Sequence, residues 1–459
     1  MKYMLDKYYS KRTMLGLFSD FSLLFILTAG VIIGQVDRPW DVVPLVSVLG
    51  LALALGMLFI NLLAGLYRQA QGCSLLQSCA RAAIALVATL VMTYSLMPVD
   101  ALSGDAAILV VMMGVSAIIV RRVFVERRSA AGQRADRHKI LIFGSGPAAR
   151  LVGAALKSAN SGVELVGYVP GPNEEQQAAA GSDVLFRRGP LMQTVMDLQV
   201  NEIIVALGER RGGSMPLREL LDCKLLGIKV VDAASRFEQT LGKINVDYPN
   251  ASWFIFGGGF NQSATRVAFK RFCDILFATI LIVLAMPVMF ITAILIALDS
   301  RGPILYRQER VGLNGKTFNI VKLRSMYVDM EMDSKPSWTV EDDRRITRVG
   351  KVIRKTRIDE LPQLFNVLSG EMSLVGPRPE QPFFVESLTR DIPYYAVRHS
   401  VKPGITGWAQ VRYQYGATVE DTIEKLQYDL YYVKNHNLLL DLFILVDTIV
   451  VVITGRGAR

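Results

Sequence analysis

The sequence predicts a membrane α/β protein with four N-terminal transmembrane helices, a doubly wound middle domain, and a C-terminal mixed α/β domain that carries a re-entrant membrane helix–break–helix. Three observations lead there. Apolar runs of spanning length crowd residues 1–125, and from 139 the hydrophobic period switches to short strands alternating with helices. A further apolar run, 275–298, then stands alone ahead of a highly charged segment. Bulk composition agrees: 459 residues allow about three domains. With 51% hydrophobic residues the chain is too apolar for a soluble protein and too polar for an all-membrane one. The formal net charge of +10 suits anionic lipid or phosphorylated substrates. No nucleic-acid-binding signature accompanies it. Cys73, Cys79, Cys223 and Cys273 lack metal-ligand spacing and His138, His399 and His436 are scattered, which excludes a disulfide framework and a zinc site.

The expected spans are 15–36, 42–66, 80–97 and 106–120, of which the last is short for the bilayer. Charge supports all four. Lys2, Lys7, Lys11 and Arg12 precede the first, Arg68 and Arg81 flank the second connection, and Arg121, Arg122, Arg127 and Arg128 follow the fourth. The other two connections hold Asp37, Arg38 and Asp41, and Asp100 and Asp105. Basic and acidic loops alternate as the positive-inside rule requires when both ends are cytoplasmic. The basic start reads as an anchor, since no small-residue cleavage site follows it.

After a linker at 126–138, residues 139–235 read as a Rossmann-like domain. A strand at 139–143 runs into Gly144-Ser145-Gly146-Pro147-Ala148-Ala149, a G-x-G-x-x-A turn opening a helix. Strands near 163–169, 202–207 and 229–231 alternate with helices near 191–198 and 216–226, the pattern of a parallel sheet. Such a turn lets phosphate approach a helix N-terminus. The second strand, however, ends Gly167-Tyr168-Val169-Pro170, without the carboxylate that would hold a ribose. A structural or regulatory domain without NAD is the expectation.

A linker at 236–265 leads to a catalytic domain at 266–459, with the hairpin at 274–298. The apolar run is long enough to cross, yet Pro287 sits at its middle, where its ring removes a backbone hydrogen bond. Lys270 and Arg271 before it, and Arg301, Arg307, Arg310 and Lys316 after it, put positive charge on both sides. Entry and return on the cytoplasmic face follows from that symmetry.

Residues 306–378 carry the chemistry. Lys322, Arg324, Arg344, Arg345, Arg348, Lys351, Arg354, Lys355 and Arg357 surround one acidic pair, Asp359-Glu360. Phosphoryl transfer needs this inventory: cations against phosphate charge, and a carboxylate to hold magnesium or attack phosphorus. Adjacent carboxylates repel, so a bound cation or arginine must keep both ionised. Gly370, Gly376, Pro377 and Pro379 supply rigid turns afterwards.

The segment from Arg354 through Asp359-Glu360-Leu361-Pro362-Gln363, then Asn366-Val367-Leu368 and Gly370 to Pro379, closely resembles the monotopic phosphoglycosyl transferases, the bacterial sugar transferases. So do Lys270-Arg271-x-x-Asp274, Lys322-Leu323-Arg324-Ser325-Met326 and Lys402-Pro403-Gly404-Ile405-Thr406-Gly407. The N-terminal architecture resembles the large members that initiate exopolysaccharide or O-antigen synthesis. Many relatives have Ser-Pro at the hairpin bend, where this chain has Met286-Pro287.

The resemblance implies that Asp359 attacks the sugar-linked phosphate of a UDP-sugar, UDP-glucose or UDP-galactose first, and releases UMP. Undecaprenyl phosphate then takes the sugar phosphate from the enzyme at the cytoplasmic face of the bacterial inner membrane. Glu360 would position magnesium, with Asp359 as its fellow ligand, or assist proton movement, and Arg354 would neutralise phosphate. Pro377, Arg378 and Pro379 would contact the nucleotide, with Lys322 and Arg324 as further substrate ligands. A homodimer is left open. A glycosyltransferase releasing UDP is the runner-up, and a membrane-tethered nucleotide sensor the rival from another class. The tail at 437–453 carries Asp441 and Asp447, costly in hydrocarbon, and so reads as an interfacial helix or one packed on the catalytic domain.

Overall fold

The computed structural model describes residues 20–26, 43–64, 75–96, 138–158, 163–171, 184–185, 189–207, 215–246, 259–260, 263–327, 345–413 and 418–454. They divide into two compact units, Met1–Gly242 and Lys243–Arg459.

In the first unit the second and third expected spans form helices α1 (Val43–Leu63) and α2 (Leu75–Leu96). Ala54 and Met57 of α1 pack with Leu24, Leu90 and Met92. On α2, Thr89 and Thr93 return their hydroxyl protons to the carbonyls of Ala85 and Thr89, so these two hydroxyls sit in an apolar helix without being orphaned. Most of the first expected span, all of the fourth and nearly all of the linker at 126–138 lie outside the described residues.

The middle domain is as expected in type. A parallel sheet has the order β2-β1-β3-β4, with β1 His138–Phe143, α3 Pro147–Ser158, β2 Val163–Val169, α4 Leu191–Asp197, β3 Glu202–Val205, α5 Leu217–Leu225 and β4 Lys229–Asp232. β3 is buried at every position, which is why it reads Glu-Ile-Ile-Val instead of alternating. The domain runs past the boundary expected at 235. Asp232 caps α6 (Ala233–Leu241) by accepting from Ala234 N, and Phe237 enters the core beside Ile140 and Ile204. Gly144 has φ +127°, and a Cβ there would lie 2.4 Å from the Ala206 carbonyl oxygen. Close approach of β1 to the end of β3 therefore accounts for the first glycine of the G-x-G-x-x-A turn without a nucleotide.

The second unit opens with α7, Ala264–Asp299, the one described helix long and apolar enough to cross a membrane. Its 36 residues trace a helical path of about 54 Å. A break at Pro287 was expected, but the helix runs through that residue uninterrupted. Proline forfeits one hydrogen bond, and the remaining bonds of a long apolar helix carry it across. Asp274, Ala278, Ile282, Thr292 and Ile296 form its buried face. Both ends are tied to the same domain. Arg271 donates to the carbonyls of Val367 and Leu368, and Asp274 accepts from Leu374 N. At the far end, Asp299 accepts from Val349 N, and Ile296 packs against Leu323 and Ile353.

Around α7 stand an antiparallel hairpin of β5 (Leu305–Val311) and β6 (Thr317–Leu323), α8 (Arg348–Lys355), α9 (Gln363–Ser369) and β7 (Ser373–Val375), which pairs in parallel with β8 (Gly404–Thr406). Between β7 and β8 lie α10 (Pro382–Asp391) and a 3-10 segment, Tyr395–Ser400. Helices α11 (Trp408–Arg412), α12 (Val419–Asn435) and α13 (Leu438–Ile453) close the unit. The tail helix packs on the domain with its carboxylates inward. Asp441 accepts from Lys270 Nζ at 2.8 Å and Tyr432 OH at 2.8 Å, and Asp447 lies 4.0 Å from Arg412. Its exposed side is apolar: Leu438, Ile449, Val452 and Ile453.

Candidate active site

The acidic pair sits where α8 hands over to α9. Thr347 caps α8 by accepting from Gly350 N at 2.8 Å, which fixes the end that delivers Arg354. After the helix, Arg357 adopts φ 61°, a left-handed conformation that non-glycine residues visit at a cost. That reversal leads into a 3-10 turn, Ile358–Glu360, in which Asp359 and Glu360 are both buried.

Their environments differ sharply. Glu360 Oε1 accepts from Arg378 Nη2 at 2.8 Å and from Lys322 Nζ at 3.4 Å. Burial alone would raise its pKa, but Arg378, Lys322 and Arg357 outweigh burial and hold the carboxyl well below the usual range. Asp359 Oδ1 is buried without a hydrogen-bond partner. Burial and then the Glu360 charge push Asp359 up to about 6, against the opposing pull of Lys322, Arg354 and Arg378. One carboxylate is clamped and ionised; the other is basic and uncommitted. Lys322 in turn has its pKa lowered by burial, which Glu360 partly offsets.

The turn bearing Arg378 is fixed through its backbone. Gly404 N donates to the Pro377 carbonyl at 2.9 Å, Arg398 Nη2 to the Arg378 carbonyl at 2.9 Å, and Arg310 Nη1 to the Pro379 carbonyl at 3.2 Å. The strands beneath it meet at glycines, since a Cβ on Gly404 would fall 2.0 Å from Gly376 N. Arg398 is itself locked: its fork donates to Asp429 Oδ2 at 3.1 and 2.8 Å, and Nη1 to Tyr395 OH at 2.9 Å. Arg398 and Asp429 are both buried, at 6% and 3% exposure, so neither can lose the other without stranding a charge.

Of the residues expected at the site, Asp359, Glu360, Lys322 and Arg378 converge, with Arg354 near enough to act on Asp359 and Pro377 and Pro379 framing Arg378. Arg324 does not join them. It is buried and donates to the carbonyls of Ser300, Pro303 and Ile296, where it closes the C-terminal end of α7. Pro287 belongs to α7 and not to the acidic cluster. Sequence reasoning missed Arg310, Arg398 and Asp429, which lie far along the chain from the acidic pair. Among the described residues no group of three His, Cys, Asp or Glu side chains forms a metal cage. A magnesium held by one or two carboxylates plus phosphate needs none.

Residues 265–455 match the bacterial sugar transferase family model. The chain is 46% identical over 242 residues to a UDP-N-acetylgalactosamine-undecaprenyl-phosphate N-acetylgalactosaminephosphotransferase of Aeromonas hydrophila, covering 53% of this chain and 56% of that one. It is 43% identical over 188 residues to a UDP-glucose:undecaprenyl-phosphate glucose-1-phosphate transferase of Klebsiella pneumoniae, covering 40% of each. The chain thus spans only about half, or less, of the length of these two relatives. Against an exopolysaccharide production protein of Rhizobium leguminosarum bv. phaseoli, 40% identity over 197 residues covers 97% of the relative and 41% of this chain. The buried acidic pair under convergent cations lies within the segment that these proteins share with this chain. The chain belongs to the bacterial sugar transferase family.

The buried, uncommitted Asp359 costs stability at neutral pH. Its raised pKa means the folded state binds more protons than the unfolded one between about 4 and 6, so stability falls as pH rises through that window. Asp359→Asn should therefore raise the unfolding midpoint of the full-length protein at neutral pH, by the equivalent of about 2 kcal/mol. Thermal scans across pH should show that gain shrinking toward zero below about pH 4. A variant less stable than wild type at neutral pH would contradict this account of the site.

Proposed function

We propose that this protein transfers a hexose 1-phosphate from a UDP-sugar to undecaprenyl phosphate and releases UMP. The reading rests above all on Asp359 Oδ1, a buried carboxylate oxygen without a partner beside a carboxylate already held by two cations. The relatives' names, which specify sugar-phosphate transfer to undecaprenyl phosphate, support the same chemistry.

In the first step an Asp359 oxygen attacks the sugar-linked phosphorus, and the bond from that phosphorus to the bridging oxygen breaks, so that UMP leaves with the electron pair. In the second, a phosphate oxygen of the lipid attacks the same phosphorus, the aspartyl–phosphorus bond breaks, and the Asp359 carboxylate is restored. Arg354, Lys322 and Arg378 balance phosphate charge throughout. The donor set fits magnesium: Asp359 Oδ1 is uncommitted and Glu360 adjoins it. The ion would neutralise the diphosphate of the donor. This step would open exopolysaccharide, capsule or O-antigen synthesis. Assays of membranes with UDP-glucose, UDP-galactose and UDP-N-acetylgalactosamine should release UMP from at least one donor. Release of UDP instead would favour sugar transfer without phosphate and overturn the reading.

The catalytic domain belongs on the cytoplasmic side, where UDP-sugars are made, with both ends of α7 on that face of the bilayer. Hydrogen bonds from one domain to both ends of α7 support this, because a crossing helix would need that domain on both sides of the membrane. The four N-terminal spans return residue 139 to the same side. Cysteines introduced at Lys270 and Lys316 in a cysteine-free background should both resist an impermeant maleimide in intact cells and label once cells are opened. Labelling at Lys316 alone in intact cells would mean a true crossing.

A further inference from the structure

Gln363 is the first residue of α9 and is 2% exposed, yet its Nε2 has no hydrogen-bond partner. A buried donor left unpaired costs stability, and in a folded protein it calls for a reason. Its position narrows the reasons.

The chain from Arg357 into α9 is wound by three-residue hydrogen bonds: Glu360 N to Arg357 O, Leu361 N to Ile358 O, Leu364 N to Leu361 O and Phe365 N to Pro362 O. At that winding, side chains three residues apart stack on one face. Glu360, Gln363 and Asn366 therefore form a single polar row. Both ends of the row are engaged on β6. Glu360 meets Lys322, and Asn366 accepts from Val321 N at 3.1 Å while donating to the Asn319 carbonyl at 2.8 Å. Asn366 fills its remaining donor capacity on Glu371 Oε2 at 2.7 Å. Only the middle member, next to the carboxylate that gathers the site's cations, keeps an unpaired donor. An amide so placed would serve the fold better as leucine or methionine, which would fill the space without an orphan.

We propose that Gln363 is a substrate-binding residue whose Nε2 donates to a phosphoryl oxygen of the bound nucleotide-sugar. The assignment rests on the transferase reading above and adds a ligand to it. Phosphoryl oxygens only accept, which suits a donor. A neutral amide also adds a hydrogen bond without setting a further cation against Glu360, already held by Lys322 and Arg378.

The test uses the full-length protein in detergent or nanodiscs, with Gln363→Leu and the unbranched Gln363→Met. Unfolding midpoints and steady-state kinetics with the UDP-sugar panel and undecaprenyl phosphate are measured side by side. Expected are midpoints equal to or above wild type, together with a roughly 10- to 100-fold fall in kcat/KM for the UDP-sugar. Activity lost in step with stability in both variants would make Gln363 a structural residue and overturn the proposal. So would wild-type kcat/KM in either folded variant. Wild type inactive with every donor would instead fell the transferase reading, and this assignment with it.

Discussion

Glu360 is where three separate stretches of the C-terminal unit meet. Lys322 comes from β6, Arg378 from the turn after β7, and the carboxylate itself from the 3-10 turn after α8. None of the three is stable in its place alone. A buried carboxylate without counter-charge would take up a proton, and a buried lysine would release one. Together they fix a negative charge beside Asp359, and burial with that charge raises the Asp359 pKa to about 6, so its carboxylate is more basic than usual and still ionised near neutral pH. In the proposed mechanism the nucleophile would thus be prepared by a neighbour that itself stays fixed.

Support for this arrangement reaches well beyond the acidic pair. Arg398 and Asp429 set the Arg378 carbonyl, and the glycine contact between β7 and β8 sets the strands below the turn. Arg271 binds the carbonyls at the end of α9, while Arg324 binds those at the end of α7. The same two arginines thereby couple the apolar helix to the catalytic elements. A lipid phosphate arriving along α7 would reach a domain whose position relative to that helix is already determined.

Much of this was legible in the residues. Strand–helix alternation marked the parallel sheet, and a lone acidic pair among cations marked the centre, because both signals are local in sequence. The role of Arg324 was not legible, since nothing in a basic run says whether a guanidinium meets phosphate or carbonyls. Arg398 and Asp429 escaped for a related reason: their partnership is set by packing between the Tyr395–Ser400 segment and α12, at a separation no spacing rule covers. The unbroken passage of α7 through Pro287 shows that a proline fixes the loss of one hydrogen bond but not the geometry that follows. The boundary at 235 failed because Asp232 starts another helix, and a cap is weaker evidence in sequence than the glycine that ends it, Gly242.

The central claim is that Asp359 carries the sugar phosphate covalently. Protein incubated with its UDP-sugar and magnesium, without lipid acceptor, and quenched in acid can be digested and analysed by mass spectrometry. The account predicts a hexose phosphate adduct on the peptide containing Asp359, lost when undecaprenyl phosphate is added before the quench and absent from Asp359→Asn. An adduct on any other residue, or UMP release sustained by Asp359→Asn, would contradict it.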